Sequence, residues 1–203
     1  MANKRLMILM ALIVPLGLIW GCSEYGKVDQ GRAIAFDEEK GEVTLIRDKA
    51  NDAQHPDYTI LPPFVYKIPS IRAEMGPEPK VGLRMKLDVD KNEIHIYDVL
   101  TNTFKTIVFT PVSIRKEVAK DDPEVFDKAA KKAKKFPVID PVKKTITVFS
   151  GRQKVLATFK VPDEDFAREP YTWEAGDEIR VYYHQEGVAQ RLMNVSKTDI
   201  FKK

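Results

Sequence analysis

Two stretches of ten residues decide the fold: Phe36-Asp-Glu-Glu-Lys-Gly-Glu-Val-Thr-Leu45 and Ile139-Asp-Pro-Val-Lys-Lys-Thr-Ile-Thr-Val148. Each has a charged turn followed by a segment in which apolar and polar residues alternate. Alternation with a period of two is typical of a β-strand that buries one face. The stretches align without a gap, and Asp, Lys and Thr recur at the same places, with Val43 aligned to Ile146. They therefore predict two related β-hairpins in one chain.

The same alternation continues outward from these hairpins over most of the chain. Strand patterns occur at residues 32–36, 42–46, 83–89, 93–97, 104–109, 145–149, 155–161, 178–183 and 189–195. Short turns rich in Gly, Asn, Asp or Ser separate them. The run 88–93 opens like a calcium loop, but Glu93 stands where that loop needs Gly, so a hairpin turn is predicted. The chain is therefore expected to be a mostly β, antiparallel protein.

One segment interrupts the alternation and suggests how the chain is divided. Asp122 and Pro123 begin a run that has an acid in its first turn and lysines at its end. An Asp N-cap, a Pro at the first helical position and late lysines all suit a helix and its dipole. We therefore expect a first β-domain at residues 31–118, a short helical connector at 119–135 and a second β-domain at 136–203.

The two halves share an order of elements. Residues 81–87 align loosely with residues 175–181, so each half runs strand, turn, strand, a longer excursion, and a glycine turn into a hairpin. This order resembles that of small five-stranded barrels of the OB or SH3-like type. We predict two small antiparallel β-barrel-like halves; chance similarity between Asp/Lys turns is the alternative. Barrels of this kind serve many functions, so the pattern implies none.

The N-terminus has the pattern of a secretory signal peptide. Lys4 and Arg5 precede an uncharged, mostly apolar run of 15 residues, 6–20. As a helix this run would span roughly 22 Å, which is short of the roughly 30 Å hydrocarbon core of a bilayer. A basic start and a short apolar run favour a cleaved signal at residues 1–21. A retained anchor helix is the alternative.

The end of this run, Ile19-Trp20-Gly21-Cys22, resembles the lipobox of bacterial lipoproteins, whose usual form is Leu-Ala/Ser-Gly/Ala-Cys. The resemblance implies cleavage between Gly21 and Cys22 and acylation of the Cys22 thiol and of the new amine. Trp20 departs from the small residue that the family has at this position. Two or more acyl chains hold a protein stably on a bilayer. The lipid bilayer, reached through Cys22, is thus an expected partner.

As a whole the chain looks like the small uncharacterised lipoproteins of bacterial envelopes. The resemblance implies a lipid-anchored protein of the bacterial cell envelope. Ser23 follows the cysteine where the enteric sorting rule has Asp for inner-membrane retention, which favours the periplasmic face of the outer membrane. Residues 22–30 are short and polar, and we expect them to form a tether.

Composition and missing motifs argue against several classes of function. The formal charge is +3, with 33 Lys+Arg against 30 Asp+Glu, so no basic field indicates nucleic-acid binding. One cysteine excludes an internal disulfide framework and a cysteine-rich zinc site. The histidines do not have metal-binding spacing, and no phosphate loop or nucleophile elbow occurs. We expect no enzyme activity, no cofactor and no metal.

Three features are candidates for binding. The Pro-rich excursion at residues 51–63 is of a kind that often carries function. A group of aromatic residues in the second half could stack on a sugar or a partner if exposed, or pack in a core: Tyr171, Trp173, Tyr182 and Tyr183. A group of lysines makes one helix end basic and could contact anionic headgroups, or be solvated: Lys128, Lys131, Lys132, Lys134 and Lys135.

These features give a leading hypothesis and two alternatives. The leading hypothesis is a membrane-anchored envelope lipoprotein that acts as a non-enzymatic protein-binding or accessory module, with an envelope protein as its partner. The first alternative is a small-ligand or glycan-binding lipoprotein that uses an aromatic groove in the second half. The second is a hydrolase whose carboxylates the fold brings together.

Overall fold

The computed structural model describes residues 25–50 and 55–198. The predicted signal peptide, Gly21, Cys22 and the first part of the predicted tether lie outside these residues. The described part is mostly β, and its paired strands run antiparallel, as predicted from the alternation. No helix within it has the length and apolar character needed to cross a membrane.

The strands are numbered in chain order. They are β1 Lys27–Asp37, β2 Glu42–Arg47, β3 Phe64–Lys67, β4 Arg84–Asp88, β5 Glu93–Asp98, β6 Thr103–Val108, β7 Thr110–Arg115, β8 Phe126–Asp127, β9 Lys132–Ala133, β10 Val138–Asp140, β11 Thr145–Ser150, β12 Val155–Lys160, β13 Glu178–Tyr183 and β14 Arg191–Asn194. The helical elements are short: the 3₁₀ turns Arg72–Glu74 and Pro170–Trp173, and α1 Asp163–Phe166.

The strands form three open sheets and one small hairpin. The five-stranded sheet has the order β14-β13-β1-β2-β3, the four-stranded sheet β10-β11-β12-β7 and the three-stranded sheet β4-β5-β6. No sheet in the described part closes into a barrel, so the predicted barrel-like halves are wrong. The apolar faces are buried where one sheet packs on another, which removes the need for a sheet to close on itself.

The two halves exchange strands. β1 pairs with β13, so that Arg32 lies opposite Glu178, and β7 pairs with β12. The predicted division into two β-domains is therefore not confirmed, because both larger sheets combine strands from either side of residues 119–135. The predicted tether is also wrong for residues 27–30, which begin β1. Gln30 is only 2% exposed there, between β2 and β13.

Hairpins with one common turn connect most neighbouring strands. In the described residues six hairpin turns share one pattern. An Asp or Ser at the end of the first strand pairs with the residue five positions later in the chain. The residue just before that partner has a positive φ. The side chain that begins the turn accepts a backbone hydrogen bond. Asp37 accepts from the Lys40 N–H and Asp140 from the Lys143 N–H, both at 2.9 Å. The similarity of residues 36–45 and 139–148 is thus a similarity of turn chemistry.

The predicted helical connector is wrong, because residues 119–135 contain a turn and the β8–β9 hairpin. The segment does start in a helix-like manner, since Asp122 caps the Glu124 N–H at 2.9 Å. Beyond Phe126 it has only alanines as apolar residues, so a helix would have no apolar stripe to bury. Val125 packs in a small core with Val118 and Leu156, and the common turn reverses the chain after Asp127.

Three main clusters of apolar side chains hold the sheets together. One lies between the three-stranded and four-stranded sheets and includes Ile94, Phe159 and Trp173. A second lies on one face of the five-stranded sheet and includes Tyr66 and Tyr183. The third connects β1 and β2 with β4 and β5, and its members are Ile34, Ile46, Tyr58, Leu83, Met85 and Tyr97. Two members of this third cluster, Tyr58 and Met85, also line a cavity between the sheets.

The common turn predicts opposite effects for two substitutions. Lys144 has φ 51°, and Lys144→Gly should raise the free energy of unfolding by about 0.5–1 kcal/mol, because the left-handed region is strained for a residue with a Cβ. Gly41 has φ 64°, and Gly41→Ala should lower it by about 1 kcal/mol, since the added Cβ meets only an ordinary contact 3.6 Å from Ile68. Urea unfolding of the full-length protein in mild detergent measures both; effects of the same sign would contradict the turn assignment.

Candidate functional site

A cavity of about 820 Å³ opens where the sheets meet. Its wall is formed by residues 55–59, by β4, by the turn after β11 and by residues 175–177, with side chains from β1, β5 and β6. This volume suits a small organic ligand. The Pro-rich excursion predicted as a functional loop therefore contributes its described residues, 55–59, to the cavity.

Arg84 is a largely buried positive charge in the cavity wall. It is 6% exposed, and its Nε donates a hydrogen bond to the Trp173 carbonyl at 2.9 Å. Within residues 25–50 and 55–198 no carboxylate lies at ion-pair distance, and its two terminal nitrogens have no acceptor. Glu174, whose charge acts on Arg84, pairs with Lys80. The terminal nitrogens are not among the fully buried atoms that lack a partner in the described residues, so they are reachable from the cavity. A largely buried charge with accessible donors and no acid against it is suited to bind an anion.

Arg32 adds a second buried positive charge beside Arg84. Its Nη1 donates to the carbonyl oxygens of Arg84 and Met85 at 2.7 and 2.9 Å. Its guanidinium carbon lies 4.5 Å from the centre of the Tyr58 ring, a cation–π distance. Its buried Nε has no partner in the described part of the chain. Arg32 thus ties β1 to β4 while its charge remains unbalanced by a contacting acid.

Two β-bulges explain how both arginines reach the interior. The register of β1 on β2 shifts between Ala33 and Ala35, and that of β4 on β5 shifts between Arg84 and Lys86. The extra residues, Ile34 and Met85, both enter the third apolar cluster. A bulge interrupts the ladder and redirects neighbouring side chains, which is why bulges often lie next to functional sites. Here the bulge in β4 also presents two carbonyls to Arg32.

Burial disfavours the charge on each arginine. Burial first, and then the positive charge of Arg32, lower the pKa of Arg84 to about 10. Burial likewise lowers the pKa of Arg32. Arg84 still carries its charge at neutral pH. An anion in contact with Arg84 would stabilise the charged form, so binding and protonation would favour each other.

A third arginine near the cavity is already paired. Arg152, on the turn after β11, donates to the Glu178 carboxylate at 2.8 Å. Glu178 is 3% exposed and also accepts a hydrogen bond from Gln30. The next residue, Gln153, donates to the Leu87 carbonyl at 2.8 Å. Hydrogen bonds thus join this turn to the five-stranded and the three-stranded sheets, and Glu178 balances the charge of Arg152.

Two glycines allow the close backbone packing that positions Arg84. A Cβ on Gly82 would lie 2.6 Å from the Gly176 nitrogen, and a Cβ on Gly176 would lie 2.0 Å from the Ala33 carbonyl oxygen. The Arg84 N–H donates to the Glu174 carbonyl at 2.8 Å in the same region. Gly82 and Gly176, which occupy matching positions when residues 81–87 are aligned with residues 175–181, therefore pack on each other.

The predicted aromatic group does not form one groove. Trp173 is fully buried and packs near Phe159, while Tyr183 is 6% exposed and packs on Tyr66 in another cluster. Both side chains therefore pack in cores, which is the alternative that the sequence left open for this group. Tyr182 points to the other face of β13, where its hydroxyl lies 2.9 Å from His184 Nε2, and Tyr171 is 37% exposed.

The predicted basic group lies on the β8–β9 hairpin and the residues after it, not on a helix. All of its lysines are exposed: Lys128, Lys131, Lys132, Lys134 and Lys135. None of them forms an ion pair with another described residue. Nor do the described residues contain a group of three His, Cys, Asp or Glu that could hold a metal.

Sequence reasoning missed Arg32 and Arg84. Alternation places Arg84 on the same face as Lys86, which is exposed, and the bulge at Met85 is what separates the two. No residue type marks that bulge in the sequence. The only available signal was Gly82, because a glycine just before a strand often indicates close backbone packing.

The two arginines should respond differently to removal of their charge. Arg84→Met should change the free energy of unfolding by no more than about 1 kcal/mol, because the loss of the hydrogen bond to the Trp173 carbonyl is offset by the removal of a largely buried charge that has no contacting acid. Arg32→Met should lower it by about 2–4 kcal/mol, because two buried carbonyls lose their donor. Urea unfolding of the full-length variants measures both values. A large loss for Arg84→Met would mean that Arg84 is structural.

Comparison with known proteins gives one family. A family model described as "Domain of unknown function (DUF4881)" matches residues 24–203. No curated protein and no solved structure matches the chain. The match begins just after Cys22 and spans every residue that forms the cavity, including both buried arginines. The chain therefore belongs to the DUF4881 family.

Proposed function

We propose that this protein is a lipid-anchored component of the bacterial cell envelope that binds a small anionic ligand in the cavity beside Arg84. The observation that carries the proposal is the buried guanidinium of Arg84, whose terminal nitrogens have no acceptor in the described part of the chain. The lipobox-like residues ending in Gly21-Cys22 support the location. The proposed anchor is an acylated Cys22, on the periplasmic face of the outer membrane.

The geometry favours a small ligand over a protein partner. A protein-binding module needs an exposed surface with anchoring side chains, and two of the four aromatic candidates, Trp173 and Tyr183, are buried. The cavity instead offers a recessed volume, open on one side, with a charged group in its wall. The ligand-binding alternative drawn from the sequence is thus preferred, with Arg84 and Arg32 in place of the aromatic groove.

The chemistry of an arginine fork indicates the ligand group. Two parallel N–H donors match a carboxylate or phosphate, and such charge-assisted bonds are strong where water is excluded. Arg32 contacts the Arg84 backbone and raises the local positive potential without an acid against it. We therefore assign Arg84 the direct contact with the anion and Arg32 the role of a positioning residue.

Two acids near the arginines, Glu178 and Asp177, are engaged by hydrogen bonds. Glu178 is held by Arg152 and Gln30, and Asp177 accepts hydrogen bonds from the Asn194 side chain and the Lys80 N–H, both at 2.8 Å. Carboxylates engaged in this way are poor general bases, since their lone pairs are occupied. The proposal assigns a non-enzymatic role to the site, with Asp57 as the other carboxylate of the cavity wall.

Titration with acetate and with inorganic phosphate tests the anion site. Trp173, the only tryptophan after removal of residues 1–21, reports through its fluorescence because its carbonyl binds Arg84. Arg84→Met should weaken binding of the preferred anion by about tenfold to a hundredfold, the contribution expected of hydrogen bonds to a charged group. Arg84→Lys should lose less, since it keeps the charge.

Arg115→Met is the matched control, because Arg115 is a surface arginine paired with Asp122. It should bind both anions as the wild type does. The proposal is contradicted if the wild type binds neither anion, or if Arg84→Met binds as tightly as the wild type.

Intact mass of the protein made in a bacterial host tests the anchor. The wild type should lack residues 1–21 and carry about three acyl chains, because the lipobox-like cysteine is modified at its thiol and its new amine. Cys22→Ala should carry none. An uncleaved, unacylated wild-type chain would contradict the proposed lipid anchor. It would favour the alternative that residues 6–20 are a retained anchor helix.

A further inference from the structure

We infer that the ligand is an amphiphilic anion: its carboxylate or phosphate contacts Arg84, and its apolar body lies against Met85, Leu87, Phe104 and Phe149. This inference rests on the proposed function and adds the chemical class of the ligand. It draws on a part of the cavity that the anion site does not use.

The apolar wall comes from strands of two sheets. Met85 and Leu87 belong to β4, Phe104 to β6 and Phe149 to β11, and all four line the cavity. Phe104 and Phe149 are only partly buried. Phe104 packs edge-on against Tyr97, with ring centres 6.1 Å apart, and Phe149 packs against Phe136, at 6.0 Å. Each ring is thus held by one neighbour and presents apolar surface to the cavity.

The polar and apolar parts of the cavity are continuous. Arg84 and Met85 are adjacent in β4, and Leu87 follows two residues later on the same strand. At roughly 3.3 Å per strand residue, about 10 Å of backbone separates Arg84 from Leu87. A molecule with its oxyanion on Arg84 can therefore extend an apolar body along β4. Met85 and Leu87 are themselves largely buried, so the apolar surface that would gain from losing contact with water is mainly that of the partly buried Phe104 and Phe149.

A free inorganic anion fits this arrangement less well. It would satisfy Arg84 but would leave the apolar wall in contact with water. A neutral apolar molecule would cover the wall and leave the buried charge without a partner. Only a ligand with both parts removes both costs.

A homologous series of ligands tests the inference on the full-length protein in mild detergent. Acetate, butyrate and hexanoate share one head group and differ only in the length of the apolar body. The affinity, measured by Trp173 fluorescence, should rise about three- to fourfold per added methylene. Hexanol, which has the same tail without the charge, should bind at least tenfold more weakly than hexanoate. Methyl and butyl phosphate repeat the comparison with the other head group.

Variants of the wall locate the apolar contact. Phe104→Ala and Phe149→Ala should flatten the dependence on chain length and leave the affinity for acetate within about twofold. Phe64→Ala is the matched control, because Phe64 lies on β3, outside the cavity wall. The chain-length series on the wild type carries the test even if a wall variant fails to fold.

The two proposals fail in different ways. Equal affinity for acetate and hexanoate, and for methyl and butyl phosphate, would overturn the amphiphilic ligand and leave the anion site intact. Absence of binding by every carboxylate and phosphate would overturn the anion site itself. A steep chain-length dependence that Arg84→Met abolishes would support both.

Discussion

The hydrogen bonds from Arg32 to the carbonyls of Arg84 and Met85 are the contact on which the site depends. They join β1 of the five-stranded sheet to the bulge of β4 in the three-stranded sheet. Without them the carbonyls of Arg84 and Met85 would each lose a buried donor, and the bulge would lose its support. The same contact holds the backbone of Arg84 in place and puts a second positive charge beside it. Packing and electrostatics at this point are therefore set by one side chain.

The topology explains how residues far apart in sequence meet at this contact. β1 pairs with β13, and β7 pairs with β12, so each half of the chain completes a sheet begun by the other. The exchange brings the 171–177 segment against β4, where Trp173 accepts a hydrogen bond from Arg84. It also carries Arg152 to Glu178. A cavity built from so many segments forms only when both halves are folded together.

The sequence predicted local structure well and long-range structure poorly. The alternation located the strands, and the turns at Asp37 and Asp140 formed as their matching residues suggested. The helix at 119–135 failed, because its capping signals were correct but it had no apolar stripe to bury. Strand exchange could not be predicted, since it depends on which sheet edges meet. The buried arginines were missed for the same kind of reason: alternation assigns Arg84 to the exposed face, and a bulge reverses the assignment.

The central claim is that a buried, unpaired guanidinium is kept in this fold because an anion binds it. A crystal structure of the full-length protein grown with 4-bromobenzoate tests this most directly, since the anomalous signal of bromine locates the ligand. The account predicts a carboxylate about 2.7–2.9 Å from the terminal nitrogens of Arg84, with the bromophenyl ring on the apolar wall. A cavity without ligand, in which an acid of this chain pairs with Arg84, would contradict it.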